Sequence, residues 1–273
     1  MIDSILFLGI QMNCTRDAVA NAKRISRALD ENPSADYAIT PECALTGYTK
    51  DWNSNFDDAL SIVKDACKKN KTSIFLGSIA HFDLPQPENT CIVINSKGEV
   101  VDRTSKVLLI PYDHEIGIGP SPQPKLICLP EHPEIKVGIM ICNDFWGSPM
   151  MNSPNVPTVL ASMGANIFIH CTNGDRNIGK THDKVYWDWH TAWLQMMSRY
   201  HMLPVISVDN ACSLNGDLYN GQTSSPSGAW ILGRPVLEDL PHTGEVDFLV
   251  EIDYRHIMCD PYQNPFINSQ LEI

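Results

Sequence analysis

The stretch VGIMICNDFW, residues 137–146, runs from apolar residues and one glycine into Cys142 and then the polar pair Asn143-Asp144. A short apolar run without polar alternation reads as a strand buried on both faces, as in parallel sheets covered by helices. Its end releases Cys142 where open α/β sheets place their ligands. Two further runs end in the same way. YAIT at 37–40 passes through Pro41 to Glu42, and a proline there ends regular strand pairing. VVDRTS at 100–105 delivers Lys106.

Outward from these three points the pattern alternates. Residues 4–12, 72–80, 166–171 and 204–208 read as buried strands, and 90–94 with 100–105 as a hairpin turning at 95–98. Helices are expected at 16–29, capped by Thr15, with Val19, Ile25 and Leu29 on one face, and at 56–69 and 155–163. The longest is expected at 186–202, where Trp189, Trp193, Met196, Met197 and Tyr200 carry more apolar bulk than a solvated face needs, as at a subunit contact. Residues 111–124, rich in Gly and Pro, read as a long ordered loop. Residues 126–129 and 136–141 are strands, and the last two, 229–232 and 245–252, are read around a turn at 233–235. No linker or repeat divides the chain. One domain over residues 1–273 is expected, two mixed sheets face to face with helices outside, a four-layer αββα sandwich. The alternative, a doubly wound nucleotide-binding sheet, lacks its phosphate loop, because Gly117 and Gly119 do not lie between a strand and a helix.

Bulk properties narrow the function. The 273 residues carry a formal charge of -12, 43% hydrophobic and 19% charged residues. That balance, without a Lys/Arg run, argues against nucleic acid and against an anionic membrane surface. No window of 18 apolar residues suggests a span, and the acidic start does not read as a signal peptide. Nine cysteines, mostly inside apolar runs and without CxxC spacing, point to reduced thiols in a cytoplasmic protein. Asp175, His182 and Asp183 read as a solvated loop, and His170 as a hydrogen-bonded core histidine. No metal and no cofactor are expected.

A thiol, a carboxylate and an ammonium at three strand ends suit acyl transfer. A base removes the thiol proton, and a cation stabilises the thiolate and the oxyanion. Taken as residues alone, a core cysteine and solvated Glu and Lys remain the commoner outcome.

The three segments resemble the nitrilase-type carbon–nitrogen hydrolase family. Glu42 in PECALTGY, Lys106 in SKVLLIP and Cys142 in GIMICND match its catalytic positions, and PVISVDNA, GQTSSPSGAWIL and VEIDY extend the similarity over nearly the whole chain. The resemblance implies an αββα sandwich, a homodimer or higher assembly of dimers, and hydrolysis of a nonpeptide C–N bond. It makes Glu42 the general base, Lys106 the oxyanion stabiliser and Cys142 the acyl-forming nucleophile, with the Asn143 backbone N–H helping hold the oxyanion. Glu115 is similar to the family's second glutamate, which orients the lysine and the substrate. Tyr48, Tyr112, Asn143, Trp146 and Asn173 are the expected substrate-binding residues.

The sequence departs from the family where Leu108 replaces a frequent histidine and FWGSP, residues 145–149, replaces a stretch with arginine and then Pro-Glu. An internal salt bridge is therefore missing or replaced, and the pocket has a different shape. Asn143-Asp144 after the cysteine is more similar to amidases and N-carbamoyl-amine hydrolases than to true nitrilases. A small carboxamide or ureido substrate is the expectation. Nitrile hydrolysis, a catalytically silent scaffold and acyl transfer to an amine are the alternatives.

Overall fold

The computed structural model describes residues 3–82, 85–119, 123–146, 155–174, 180–211, 225–237, 240–241 and 244–258. The chain opens with β1 (Ser4–Gln11), α1 (Ala18–Glu31), β2 (Tyr37–Ile39), α2 (Phe56–Asn70) and β3 (Ser73–Ala80). The three strands are parallel because each helix carries the chain back along the sheet. The hairpin β4 (Glu88–Ile94) and β5 (Val100–Ser105) then adds two antiparallel strands. A short α3 (Pro111–Glu115) leads into the second half, which holds β6 (Leu126–Leu129), β7 (His132–Ile141), α4 (Asn143–Trp146), α5 (Val156–Ser162), β8 (Ile167–Cys171), α6 (Lys180–His201) and β9 (Val205–Val208). The remaining elements are β10 (Gly228–Ile231), β11 (Arg234–Pro235), β12 (Val246–Asp253) and α7 (Tyr254–Ile257).

Among the described residues the strands form two six-stranded sheets, ordered β12-β1-β2-β3-β4-β5 and β11-β10-β9-β8-β7-β6. Each has three parallel strands at its centre, with antiparallel strands on both sides. Strand periodicity sorts the side chains into layers. Ile5 and Phe7 of β1, Ile39 of β2 and Phe75 of β3 meet Val137, Ile139 and Ile141 of β7 and Ile167 and Ile169 of β8 between the sheets. Leu8 and Ile10 point the other way, under Ala22, Ile25 and Leu29 of α1 and Val63 of α2. Leu160 of α5 and Leu194 and Met197 of α6 cover Met140 and Phe168 on the second sheet. These layers make the expected αββα sandwich.

The ends of the sandwich differ. At the starts of the parallel strands, the β6–β7 turn latches the two sheets together. Glu131 accepts bonds from the Ser73 hydroxyl (2.9 Å) and from the Ser96 hydroxyl (2.7 Å), and the Tyr37 hydroxyl donates to the Pro130 carbonyl. At their far ends lie Glu42, Lys106 and Cys142.

Three expectations are corrected. Asp17, not Thr15, caps α1, accepting from Ala20 N at 3.0 Å, because the Thr15 hydroxyl is turned to Asn21 Oδ1 at 2.8 Å. Residues 111–115 form a helix inside the expected loop. Pro111 suits its first position, and the Asp113 carboxylate returns to Ile110 N at 2.9 Å. The last long strands do not pair around residues 233–235. β10 lies beside β9 in the second sheet, whereas β12 lies beside β1 in the first.

Gly77 of β3 positions the site. A Cβ there would stand 1.9 Å from the Pro41 carbonyl oxygen, so the turn carrying Glu42 seats directly on the glycine backbone. Gly77→Ala must push that turn away. It is expected to cost about 1–3 kcal/mol of stability and to lower kcat at least roughly tenfold. Thermal unfolding and steady-state rates check this, and a fully active variant would count against it.

Candidate active site

Glu42 follows β2 through Pro41 and is fully buried. Its Oε1 accepts from Lys106 Nζ at 2.9 Å and from Asn89 Nδ2 at 2.7 Å. Its Oε2 is buried with no hydrogen-bond partner among the described residues. Lys106 follows β5, is equally buried, and reaches Asp113 Oδ2 at 3.0 Å. Its backbone N–H donates to the Asn89 carbonyl at 2.8 Å, so the end of the β4–β5 hairpin sets the direction of the lysine. Asp113 in turn accepts from the Tyr48 hydroxyl. Two carboxylates thus share one ammonium away from water.

Cys142 follows β7 in the left-handed region, with φ 48°. That conformation is uncommon for any residue with a Cβ and turns the side chain out of the sheet. The residue is half-buried. Asp144, two residues on, is buried, and its hydrogen bonds come from backbone amides: Leu108 N at 2.7 Å, Val107 N at 3.0 Å and Ile141 N at 3.2 Å. The cysteine turn is therefore tied to the segment just after Lys106. Burial raises the Asp144 carboxyl to about 7, against the pull of those amides and of Lys106.

The electrostatics couple all three groups. Burial, with Asp113 adding, raises the Glu42 carboxyl, while Lys106 and Asn89 oppose the rise. Burial also raises the Cys142 thiol, Glu42 adds to it, and Lys106 opposes. Burial alone would lower Lys106, but Glu42, Cys142, Tyr48 and Asp113 together hold it well above its usual range. Burial thus favours the uncharged thiol, while Glu42 and Asp113 favour the charged lysine. That set can pass a proton from sulfur to carboxylate and place positive charge beside a developing oxyanion.

The other expected residues divide. Tyr48 is buried, with Lys106 Nζ 5.7 Å from its ring centre, and Tyr112 is half-buried and edge-on to it at 5.1 Å. Asn143 is half-buried at the start of α4. Glu115 is exposed at the end of α3 and does not join the group. The acid that reaches Lys106 is Asp113, because one helical turn faces the third residue of α3 inward and the fifth outward. Trp146 does not wall the thiol. It packs on the helix side of the second sheet, stacked on His190 at 4.0 Å and edge-on to His170 at 4.8 Å. Asn173 is buried and donates to the Glu42 carbonyl at 3.3 Å, which makes it a support of the backbone.

Asn89 and Asp113 were missed. Asp113 had a signal in IPYD, an N-terminal helix pattern whose third residue bonds back to the residue before the helix. Asn89 had none, since only the hairpin register brings it to Lys106. His170 is the hydrogen-bonded core histidine expected, held at about 3 by burial and so neutral. Asp175, the side chains of His182 and Asp183, and residues 147–149 lie outside the described residues. Among the described residues no group of three or more His, Cys, Asp or Glu could hold a metal ion, and no helix is long and apolar enough to cross a membrane.

The chain is 27% identical over 178 residues to nitrilase homolog 2 of Dictyostelium discoideum, covering 60% of this chain and 52% of that protein. It is 26% identical over 196 residues to an omega-amidase of Saccharomyces cerevisiae, covering 64% of this chain and 62% of that one. These matches span a little over half of each relative's length. Among solved structures, a mutant amidase from Nesterenkonia sp. AN1, with the acetamide moiety of fluoroacetamide on its active site cysteine, superposes with a TM-score of 0.72 at 14% identity. That superposition covers 99% of this chain and 97% of the amidase. A nitrilase-superfamily member from Saccharomyces cerevisiae gives 0.73 at 20% identity, covering 97% of both chains. The family model for carbon-nitrogen hydrolases matches residues 10–230, most of the sequence, and the chain belongs to that family.

Proposed function

We propose that this protein hydrolyses a small carboxamide or N-carbamoyl compound through an acyl-enzyme on Cys142. The observation that carries the reading is the divided Glu42 carboxylate. One oxygen is held by Lys106 and Asn89, the other is buried with no hydrogen-bond partner among the described residues, and the Glu42 charge acts on the Cys142 thiol. A buried carboxylate oxygen left without a hydrogen bond is costly and suits a proton acceptor.

The steps follow from these groups. Glu42 takes the thiol proton as sulfur attacks the carbonyl carbon. Lys106 and the Asn143 backbone N–H stabilise the oxyanion. The C–N bond breaks as Glu42 returns the proton to the leaving nitrogen. Water, deprotonated by Glu42, then attacks the thioester and releases the acid and the thiol. Asp113 and Tyr48 hold Lys106 in place throughout, and Tyr112 lines the approach.

The amide preference rests on Asn143-Asp144 and on the amidases among similar proteins. A panel of amides, ureido acids, ureido amines and nitriles, with Cys142→Ala as control, tests it. Ammonia from an amide, or ammonia with carbon dioxide from a ureido compound, supports the reading. Acid and ammonia from a nitrile would replace it, and the absence of both turnover and a Cys142-dependent adduct in intact-mass spectra would leave a silent scaffold.

A homodimer completes the proposal. α6 seats Leu194 and Met197 on the second sheet but leaves Val185, Trp189, Met196 and Tyr200 exposed, a bulky face suited to a second copy. Light scattering after size exclusion is expected to give a dimer mass for the native chain and a monomer mass for Trp189→Lys with Tyr200→Lys. The reduced cysteines fit a cytoplasmic setting.

A further inference from the structure

Glu42 belongs to the first sheet and Cys142 to the second, yet the main chains of both are bonded to one short stretch at the end of β8. The Glu42 N–H donates to the Thr172 carbonyl at 3.3 Å, and the Glu42 carbonyl accepts from Asn173 Nδ2 at 3.3 Å. The Cys142 N–H donates to the Cys171 carbonyl at 2.8 Å, and the Cys142 carbonyl lies 3.2 Å from His170 Nε2. A carbonyl only accepts, so Nε2 carries the imidazole proton and Nδ1 accepts from the Ser207 hydroxyl at 2.9 Å.

Each gripping side chain is itself held. His170 is fully buried, stacked on Phe145 at 4.8 Å. Asn173 Oδ1 accepts from Asn210 Nδ2, and the Asp209 carboxylate binds the N–H groups of Gly174 at 3.0 Å and Asn210 at 2.8 Å. Elsewhere the two sheets meet largely through apolar side chains, whose contacts are non-directional and do not fix a separation to the fraction of an ångström that proton transfer needs.

We propose that residues 170–173 form a clamp that sets the separation between the Glu42 carboxylate and the Cys142 thiol, with His170 and Asn173 as positioning residues. This rests on the reading of Cys142 as nucleophile and Glu42 as its base. Asn173 therefore acts through Glu42 and does not read the substrate. His170 acts through the carbonyl of a cysteine whose left-handed conformation needs external support.

Iodoacetamide, a carboxamide that needs no knowledge of the substrate, tests the clamp. The sulfur forms a bond to its methylene carbon, iodide leaves, and the thiol proton passes to Glu42. Peptide mapping gives separate rates for Cys142 and for the exposed Cys128. In the native chain Cys142 is expected to react much faster than Cys128. His170→Phe and Asn173→Ala are each expected to slow Cys142 by roughly 10–100-fold and to leave Cys128 unchanged. Their combination should slow it by less than the product, since both hold one separation. His170→Gln returns an N–H donor and should recover most of the rate. Should His170→Phe not fold, Asn173→Asp removes the donor without changing shape. Native Cys142 rates in these variants, even with lowered thermal midpoints, overturn the clamp alone. A native Cys142 no faster than Cys128 overturns the acyl-enzyme reading, and the clamp with it.

Discussion

Lys106→Met is expected to abolish detectable turnover and to destabilise the protein by about 3–5 kcal/mol. The ammonium sits 2.9 Å from Glu42 and 3.0 Å from Asp113, with all three side chains fully buried. Methionine fills similar volume, so packing is largely retained. What remains is two buried carboxylates near one another with no counter-charge. The protein can relieve this by taking up a proton, and the Glu42 carboxyl, already raised by burial and by Asp113 and now without the opposing Lys106, rises further above its unfolded value. A raised acid pKa gives stability that is present at low pH and lost as pH rises. The variant's deficit is therefore largest near pH 7–8 and shrinks toward pH 5. Urea melts at the two pH values check the sign. A deficit that grows on acidification would mean that Lys106 does not neutralise these carboxylates. The missing turnover has a separate cause, because the oxyanion loses its cation.

Glu42→Gln separates chemistry from stability in the opposite direction. The amide oxygen still accepts from Lys106 and Asn89, the shape is unchanged, and Lys106 keeps Asp113 as partner. One buried negative charge disappears, and the amide NH2 takes the place of the oxygen that has no partner among the described residues. Stability is expected to hold or rise by about 1 kcal/mol. The thiol, however, loses its proton acceptor while burial still holds its pKa high. A fall in kcat of roughly 10²–10⁴-fold follows. Acylation rates from single-turnover mass spectrometry, with a thermal melt on the same sample, test both halves. A variant that loses stability in step with activity would identify Glu42 as a structural anchor.

How much of this was readable in the sequence depends on what each residue answers to. Cys142, Glu42 and Lys106 each end an apolar run, and strand ends follow from local pattern. The layers followed for the same reason, since runs such as residues 137–141 need cover on both faces. Glu115 and Trp146 failed because their placement depends on rotation about a short helix. In α3 a two-residue difference turns a side chain from Lys106 to solvent, and in α4 the turn after Cys142 sends Trp146 beneath the sheet. Thr15 failed as a cap because Asn21, one turn into the helix, competes for its hydroxyl. Asn89 was beyond reach, since it meets Lys106 through strand register and through the fold of the chain over Glu42.

The latch at Glu131 has a practical meaning. It joins the sheets at the end opposite the reacting atoms, through Ser73, Ser96 and the turn beside Tyr37. A tie between the sheets therefore exists that no reacting group touches. Engineers can reinforce that remote turn without altering any residue around Cys142.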